Sequence, residues 1–168
     1  MAVDAAVEST LWSDCLLPDP ERGRTPVFSP LGQARYALGL ETIYEGYLVH
    51  YGRSRLFTPP DGDTALLLGD YLYAHGVARI SALQDVAAVA DLSELISLCS
   101  QLRAEEADGD GQLWAATSAL LGLGELDEAR TALRLHSDPA RLDRMARDAA
   151  GDEAVDAALV AHFLRRPA

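Results

Sequence analysis

Ile43-Tyr44-Glu45-Gly46-Tyr47-Leu48-Val49-His50 and, beyond a proline loop, Ala65-Leu66-Leu67-Leu68-Gly69-Asp70-Tyr71-Leu72-Tyr73-Ala74 are the stretches that decide the fold. In the first, Ile43, Tyr44, Tyr47 and Leu48 continue a series begun by Tyr36 and Leu40, at the three- and four-residue spacing of an amphipathic helix. Leu67, Leu68, Tyr71, Leu72 and His75 repeat that spacing in the second. Between them, Phe57-Thr58-Pro59-Pro60-Asp61-Gly62 is a loop, because consecutive prolines remove amide donors and clash inside a helix. The two stretches therefore read as a helical pair. The first helix is expected over 33–51, stopped by Gly52, and the second is capped by Asp63 or Thr64.

The helical pattern continues toward the C-terminus. Ser81-Ala82-Leu83-Gln84 has the form of a capping box, in which Ser and Gln satisfy each other's free amides, so a third helix is expected from there to about Glu106. Asp108-Gly109-Asp110-Gly111 ends it. A fourth helix is expected over 112–121 and a fifth over 125–136. Asp138-Pro139 starts a sixth and Gly151 precedes a seventh. No Val/Ile/Thr-rich alternating segment is left for a strand, so the fold class is all-α, a bundle of about six to seven helices.

Residues 1–31 read differently. They hold Pro18, Pro20, Pro26 and Pro30, with a short helix around 3–12, and are expected to form an extended Pro-rich arm rather than core. The division is thus an arm over 1–31 and a helical domain over 32–168.

With 168 residues, about half apolar, the chain can bury a single core. All basic residues are arginine, and the net charge is −12. That balance excludes a nucleic-acid partner, which requires a concentrated positive surface. Cys15 and Cys99 lack the spacing of a zinc site or a disulfide framework, and Cys99 falls in an apolar helical run as a small buried hydrophobe. There is no apolar stretch of spanning length and no leader pattern, so a cytoplasmic location without a transmembrane segment is expected.

The segment Thr42 to Glu106 resembles the front half of the trans-polyprenyl (isoprenyl) diphosphate synthase family. Leu48-Val49-His50 resembles the end of the helix in which Leu-(Ile/Val)-His directly precedes the family's first aspartate-rich motif. Leu67-Leu68-Gly69-Asp70-Tyr71-Leu72 resembles the following Gly-Asp helix, and Gln101 to Glu106 resembles a Glu-rich helix end. The resemblance implies part of the isoprenoid synthase fold. It also shows what is missing: the aspartate positions fall on Tyr51, Gly52 and Arg55. Magnesium takes hard oxygen ligands, and a phenol, a glycine and a guanidinium do not supply them. The family's Arg-rich loop does not fit into Pro59-Pro60-Asp61-Gly62, and its Gly-Lys-Arg segment is reduced to Gly32-Gln33-Ala34-Arg35.

The only stand-in for the second aspartate motif is Asp152-Glu153-Ala154-Val155-Asp156, where Asp152 and Asp156 share a helical face. An acidic first turn, favoured by the helix dipole, explains these residues without a metal. The resemblance implies a chain with no catalytic residues and no cofactor of its own, magnesium belonging to a catalytic partner. It implies a regulatory small subunit of a heteromeric synthase that influences product length. A homodimeric helical scaffold without prenyl chemistry is the alternative. Residues expected at an interface or toward a ligand are His50, Arg53, Asp70, Tyr71 and His75. Arg53 and Arg55, at the exit of the first helix, read as solvated charges or as contacts to a diphosphate or a partner's carboxylates. The crowding of all six tyrosines between Tyr36 and Tyr73 is read as aromatic surface on two sides of the helical pair.

Overall fold

A computed structural model describes residues 10–166, with Thr10 and Leu11 placed by their backbone alone. The short helix expected around 3–12 falls largely outside this range; its end is a helical turn, Thr10–Ser13. Beyond that turn, the described residues form an all-helical bundle of seven helices: α1 (Ala37–Tyr51), α2 (Gly62–Ser81), α3 (Val86–Ala104), α4 (Asp110–Ala119), α5 (Asp127–His136), α6 (Ala140–Ala150) and α7 (Asp152–Phe163). Among the described residues the only β-type pairing is a single bridge between Leu16 and Phe57.

Several boundaries move from the expected ones, each for a local reason. α1 starts at Ala37 because Ala34–Tyr36 wind as a tighter 3₁₀ turn. α2 is capped by Asp61, whose carboxylate accepts the Thr64 N–H at 2.7 Å, rather than by Asp63 or Thr64. Ser81–Gln84 does not open α3. Its amides close the end of α2, Gln84 takes a left-handed φ of 59°, and Asp85 caps α3 by accepting the Ala88 N–H at 3.0 Å. Asp85 also receives the Tyr36 hydroxyl at 2.5 Å, so it joins the two helix starts. Asp110 begins α4 instead of ending α3, after a chain reversal through Gly109 at φ 113°.

α4 is the central element. Asp110, Gly111, Leu113, Trp114, Ala115, Ala116, Thr117 and Ser118 are all buried, and the helix meets α3, α6 and α7. The main core runs from Tyr36 and from Ile43, Tyr44 and Tyr47 of α1 through Leu92, Leu95 and Leu98 of α3 to Leu142, Val155 and Leu159. A second, smaller core joins Trp12, Cys15, Leu56, Phe57, Leu68 and Leu72. Both cysteines are buried. The segment expected as an arm is not all outside the core. Val27, Phe28 and Leu31 belong to it, with Phe28 stacked on Trp114 at 5.6 Å and edge-on to Tyr44 at 5.0 Å. Prolines kept this segment out of regular helix, but they did not keep its apolar side chains out of the core.

α1 and α2 run antiparallel, and glycines set their closeness. Gly39 and Gly46 lie seven residues apart on α1, as Gly69 and Gly76 do on α2. A Cβ at Gly76 would lie 2.5 Å from Ile43 Cγ1 and 2.7 Å from the Gly39 carbonyl oxygen. One at Gly46 would lie 3.0 Å from the Gly69 oxygen. Those approaches leave no room for a methyl group, so the seam is specific to glycine. Gly76→Ala is expected to destabilise the fold by about 2 kcal/mol through overpacking. Gly62, whose Cβ would meet nothing within 4 Å, is the control: Gly62→Ala should be neutral or stabilising by about 0.5 kcal/mol. Urea unfolding of the two variants checks this, and an equal effect at both positions would refute the seam.

Candidate functional site

Two glutamates one helical turn apart on α1 organise the surroundings of the candidate site. The Glu41 Oε1 accepts the N–H groups of Val27, Phe28 and Ser29 at 3.0, 3.1 and 2.9 Å. Its Oε2 meets Arg55 Nη1 at 2.9 Å. Glu45 is fully buried; its Oε1 accepts the N–H groups of Arg55 and Leu56 at 2.7 and 3.0 Å and the Ser54 hydroxyl. Its Oε2 takes Arg55 Nε at 2.9 Å. Arg55 is buried as well, donates Nη1 to the Thr25 carbonyl at 2.9 Å, and lies over the Tyr44 ring. Burial disfavours its charge, but Glu45 and Glu41 outweigh that and raise its pKa.

Beside this lies a second buried network, in which the Tyr44 hydroxyl and His162 Nδ1 are 3.1 Å apart and His162 Nε2 lies 3.1 Å from Asp110 Oδ2. The Tyr47 hydroxyl donates to the same oxygen at 2.5 Å. Burial alone would raise the Asp110 pKa. Hydrogen bonds from His162 and Tyr47, with the fields of His162 and Arg103, overcome it and hold the carboxyl well below the usual range. Burial pushes the Tyr44 and Tyr47 phenols up. A histidine, a carboxylate and two phenols in contact resemble a proton relay, yet Tyr44, Tyr47, Asp110 and His162 are all sealed under Phe28 and Trp114. The network locks α1, α4 and α7 together and meets no solvent.

The sequence-derived candidates are dispersed. Tyr51 is half-buried, with its hydroxyl 3.2 Å from Ser100 Oγ, and Gly52 packs against the Arg165 carbonyl. Arg55 is a core ion pair, which corrects its reading as a solvated or ligand-facing charge. His50 Nε2 lies 3.2 Å from Asp70, and its ring fills the space where Gly69 has no side chain. Burial lowers the His50 pKa, with Asp70 opposing. The Leu-Val-His and Gly-Asp elements thus meet each other across α1 and α2. Tyr71 and His75 are half-buried, with ring centroids 5.6 Å apart. Asp152 and Asp156 do share a face, and it is occupied by Arg147 at 3.4 and 2.9 Å. Among the described residues no group of three or more His, Cys, Asp or Glu side chains is arranged to hold a metal ion.

Two clefts open on either side of the Gly23–Pro26 segment. One, of about 280 Å³, is lined by Pro26, Ala37, Leu38 and Leu56, with Glu41 and Arg55 among its walls. The other, of about 400 Å³, is lined by Thr25, Val27, Arg53, Arg55, Leu164 and Arg165, among others. Glu41, Glu45, Asp110, His162 and Arg165 were not singled out from the sequence. Glu45 carried a signal, an acid between Tyr44 and Tyr47 on an apolar face; Asp110 and His162 meet across 52 residues and carried none.

No family model matches the chain, and no curated protein or solved structure matches it significantly.

Two outcomes follow. Arg55→Met leaves Glu41 and Glu45 facing each other without a cation and should cost about 3–5 kcal/mol in urea unfolding. Because the Asp110 pKa is depressed in the folded state, its contribution is full above the ordinary carboxylate pKa of about 4 and is lost as pH falls below that. Asp110→Asn should therefore lower stability at pH 7 and flatten the acid limb of stability against pH. An unchanged slope between about pH 4 and pH 2 would show that Asp110 does not titrate as described.

Proposed function

We propose that this chain is a non-catalytic subunit that docks on a trans-polyprenyl diphosphate synthase and influences the length of its product. The observation that carries this reading is the outer face of α2. The helix packs on α1 through Leu68, Gly69, Leu72, Gly76 and Ile80, while Leu66 and Leu67 are 55 % and 58 % exposed on its outer face, which Asp70 interrupts before Ala74 and Ala78. Val86 at the start of α3 is 82 % exposed. Apolar side chains grouped on one helix face are what a partner surface uses.

The positions where the resembling family holds magnesium support the non-catalytic half of the reading. Tyr51, Gly52 and Arg55 are used here in packing and in an internal ion pair. No helix among the described residues is long and apolar enough to cross a membrane.

The test is co-expression with the synthase subunit of the same genome that carries both aspartate motifs, followed by pull-down and a prenyl-transfer assay on each chain and the mixture. Association, with activity or product length changed only in the mixture, is expected. Leu66→Glu with Leu67→Glu should abolish association while the circular dichroism spectrum and unfolding midpoint stay unchanged. A stable self-dimer that excludes the synthase subunit would favour the scaffold reading instead.

A further inference from the structure

Carboxylates outnumber arginines 26 to 14 in this chain, so an arginine without a carboxylate neighbour stands out. Arg22 and Arg24 meet Asp19, Arg35 meets Asp85, and Arg55 meets Glu41 and Glu45. Arg130 meets Asp91, Arg134 meets Glu94, Arg141 meets Glu128, Arg147 meets Asp143, and Arg166 meets Asp108. Arg103 lies near Asp110. Arg53, Arg79, Arg144 and Arg165 have no ion pair with a carboxylate among the described residues; of these, Arg53 and Arg165 line the same cleft of about 400 Å³. Among the described residues, no Asp or Glu lines it.

The backbone fixes both arginines in place. The Arg53 N–H donates to the Arg165 carbonyl at 2.8 Å, and its guanidinium donates to the Leu164 carbonyl, tying the loop after α1 to the end of α7. The Arg165 guanidinium lies along bare backbone: a Cβ at Gly23 would be 3.3 Å from its Nη2. On the wall between them, Arg55 is neutralised by its glutamates. The cleft therefore presents two cationic forks from different segments, countered only by carbonyl dipoles at the end of α7.

We propose that this cleft binds the phosphate group of a small phosphorylated molecule, with Arg53 and Arg165 as the anchoring residues. Two guanidinium groups carry two positive charges and donate in planar forks. A phosphate monoester, with about −1.5 to −2 charge and three acceptor oxygens, matches them in charge and geometry. A carboxylate satisfies one fork and half the charge. The cleft volume falls within the usual small-ligand range and leaves room for the group the phosphate is attached to. None of its lining residues belongs to α2, so this site stands or fails independently of the docking face above.

The test uses the full chain labelled with ¹⁵N and follows the arginine Nε–Hε resonances at pH 7 and constant ionic strength. Inorganic phosphate should shift Arg53 and Arg165 saturably and leave Arg144, an exposed arginine on α6, unmoved. Acetate should bind about tenfold more weakly, the equivalent of one charge-assisted hydrogen bond. Arg165→Gln should weaken phosphate binding by about tenfold on the same grounds, and Arg144→Gln should not change it. Equal shifts at Arg144, a linear response without saturation, acetate binding as tightly as phosphate, or unchanged binding in Arg165→Gln would each overturn the proposal. Should Arg165→Gln fail to fold, the wild-type titrations alone decide.

Discussion

Two carboxylates inside a helix face are the constraint on which much of this structure depends. Glu41 and Glu45 sit on α1 beside Tyr44, Tyr47 and Leu48, where burying an unpaired charge would be prohibitive. Each is made tolerable by the same device: one oxygen gathers two or three backbone amides from a non-helical segment, and the other meets Arg55. Glu41 thereby fixes Val27 to Ser29 and Glu45 fixes Arg55 and Leu56. Amides that would otherwise be orphaned in irregular backbone find acceptors, and the acids find donors. The desolvation cost falls on a few residues and the order extends to two loops.

That arrangement also creates the relief of the surface. The 23–27 segment is held off α1 by the Glu41 carboxylate and the Arg55 side chain, so clefts remain on both of its sides rather than a packed seam. Phe28, carried on the same segment, enters the core between Tyr44, Trp114 and His162 and closes the buried Tyr44–His162–Asp110–Tyr47 network. A single stretch of irregular chain thus seals a polar interior on one side and frames an arginine-lined cleft on the other.

The helical periodicity of the sequence was enough to give the all-α class and the seven helices of the described bundle, because most of them end close to a Gly, Pro or Asp. Boundaries slipped where a polar residue had a long-range obligation: Asp85, shared between the Ala88 amide and Tyr36, outcompeted the Ser81–Gln84 box as the cap of α3. The Pro-rich segment was misread as an arm because prolines report backbone conformation and not burial. Arg55 was misread as solvated because its partners lie 10 and 14 residues back on a helix whose face looks apolar. Clefts formed by residues from 23, 53 and 165 leave no local pattern at all.

Leu48-Val49-His50 and Gly69-Asp70 meet each other across α1 and α2. Gly69 is small because the His50 ring occupies its side, and Asp70 sits where it can pair with His50. Those residues therefore have a packing role that needs no metal. Arg55 shows what the interior requires at its own position. An aspartate there would add a third negative charge against Glu41 and Glu45, whereas the guanidinium neutralises them and orders two loops. A carboxylate at position 55 would therefore break the fold before it built a metal site.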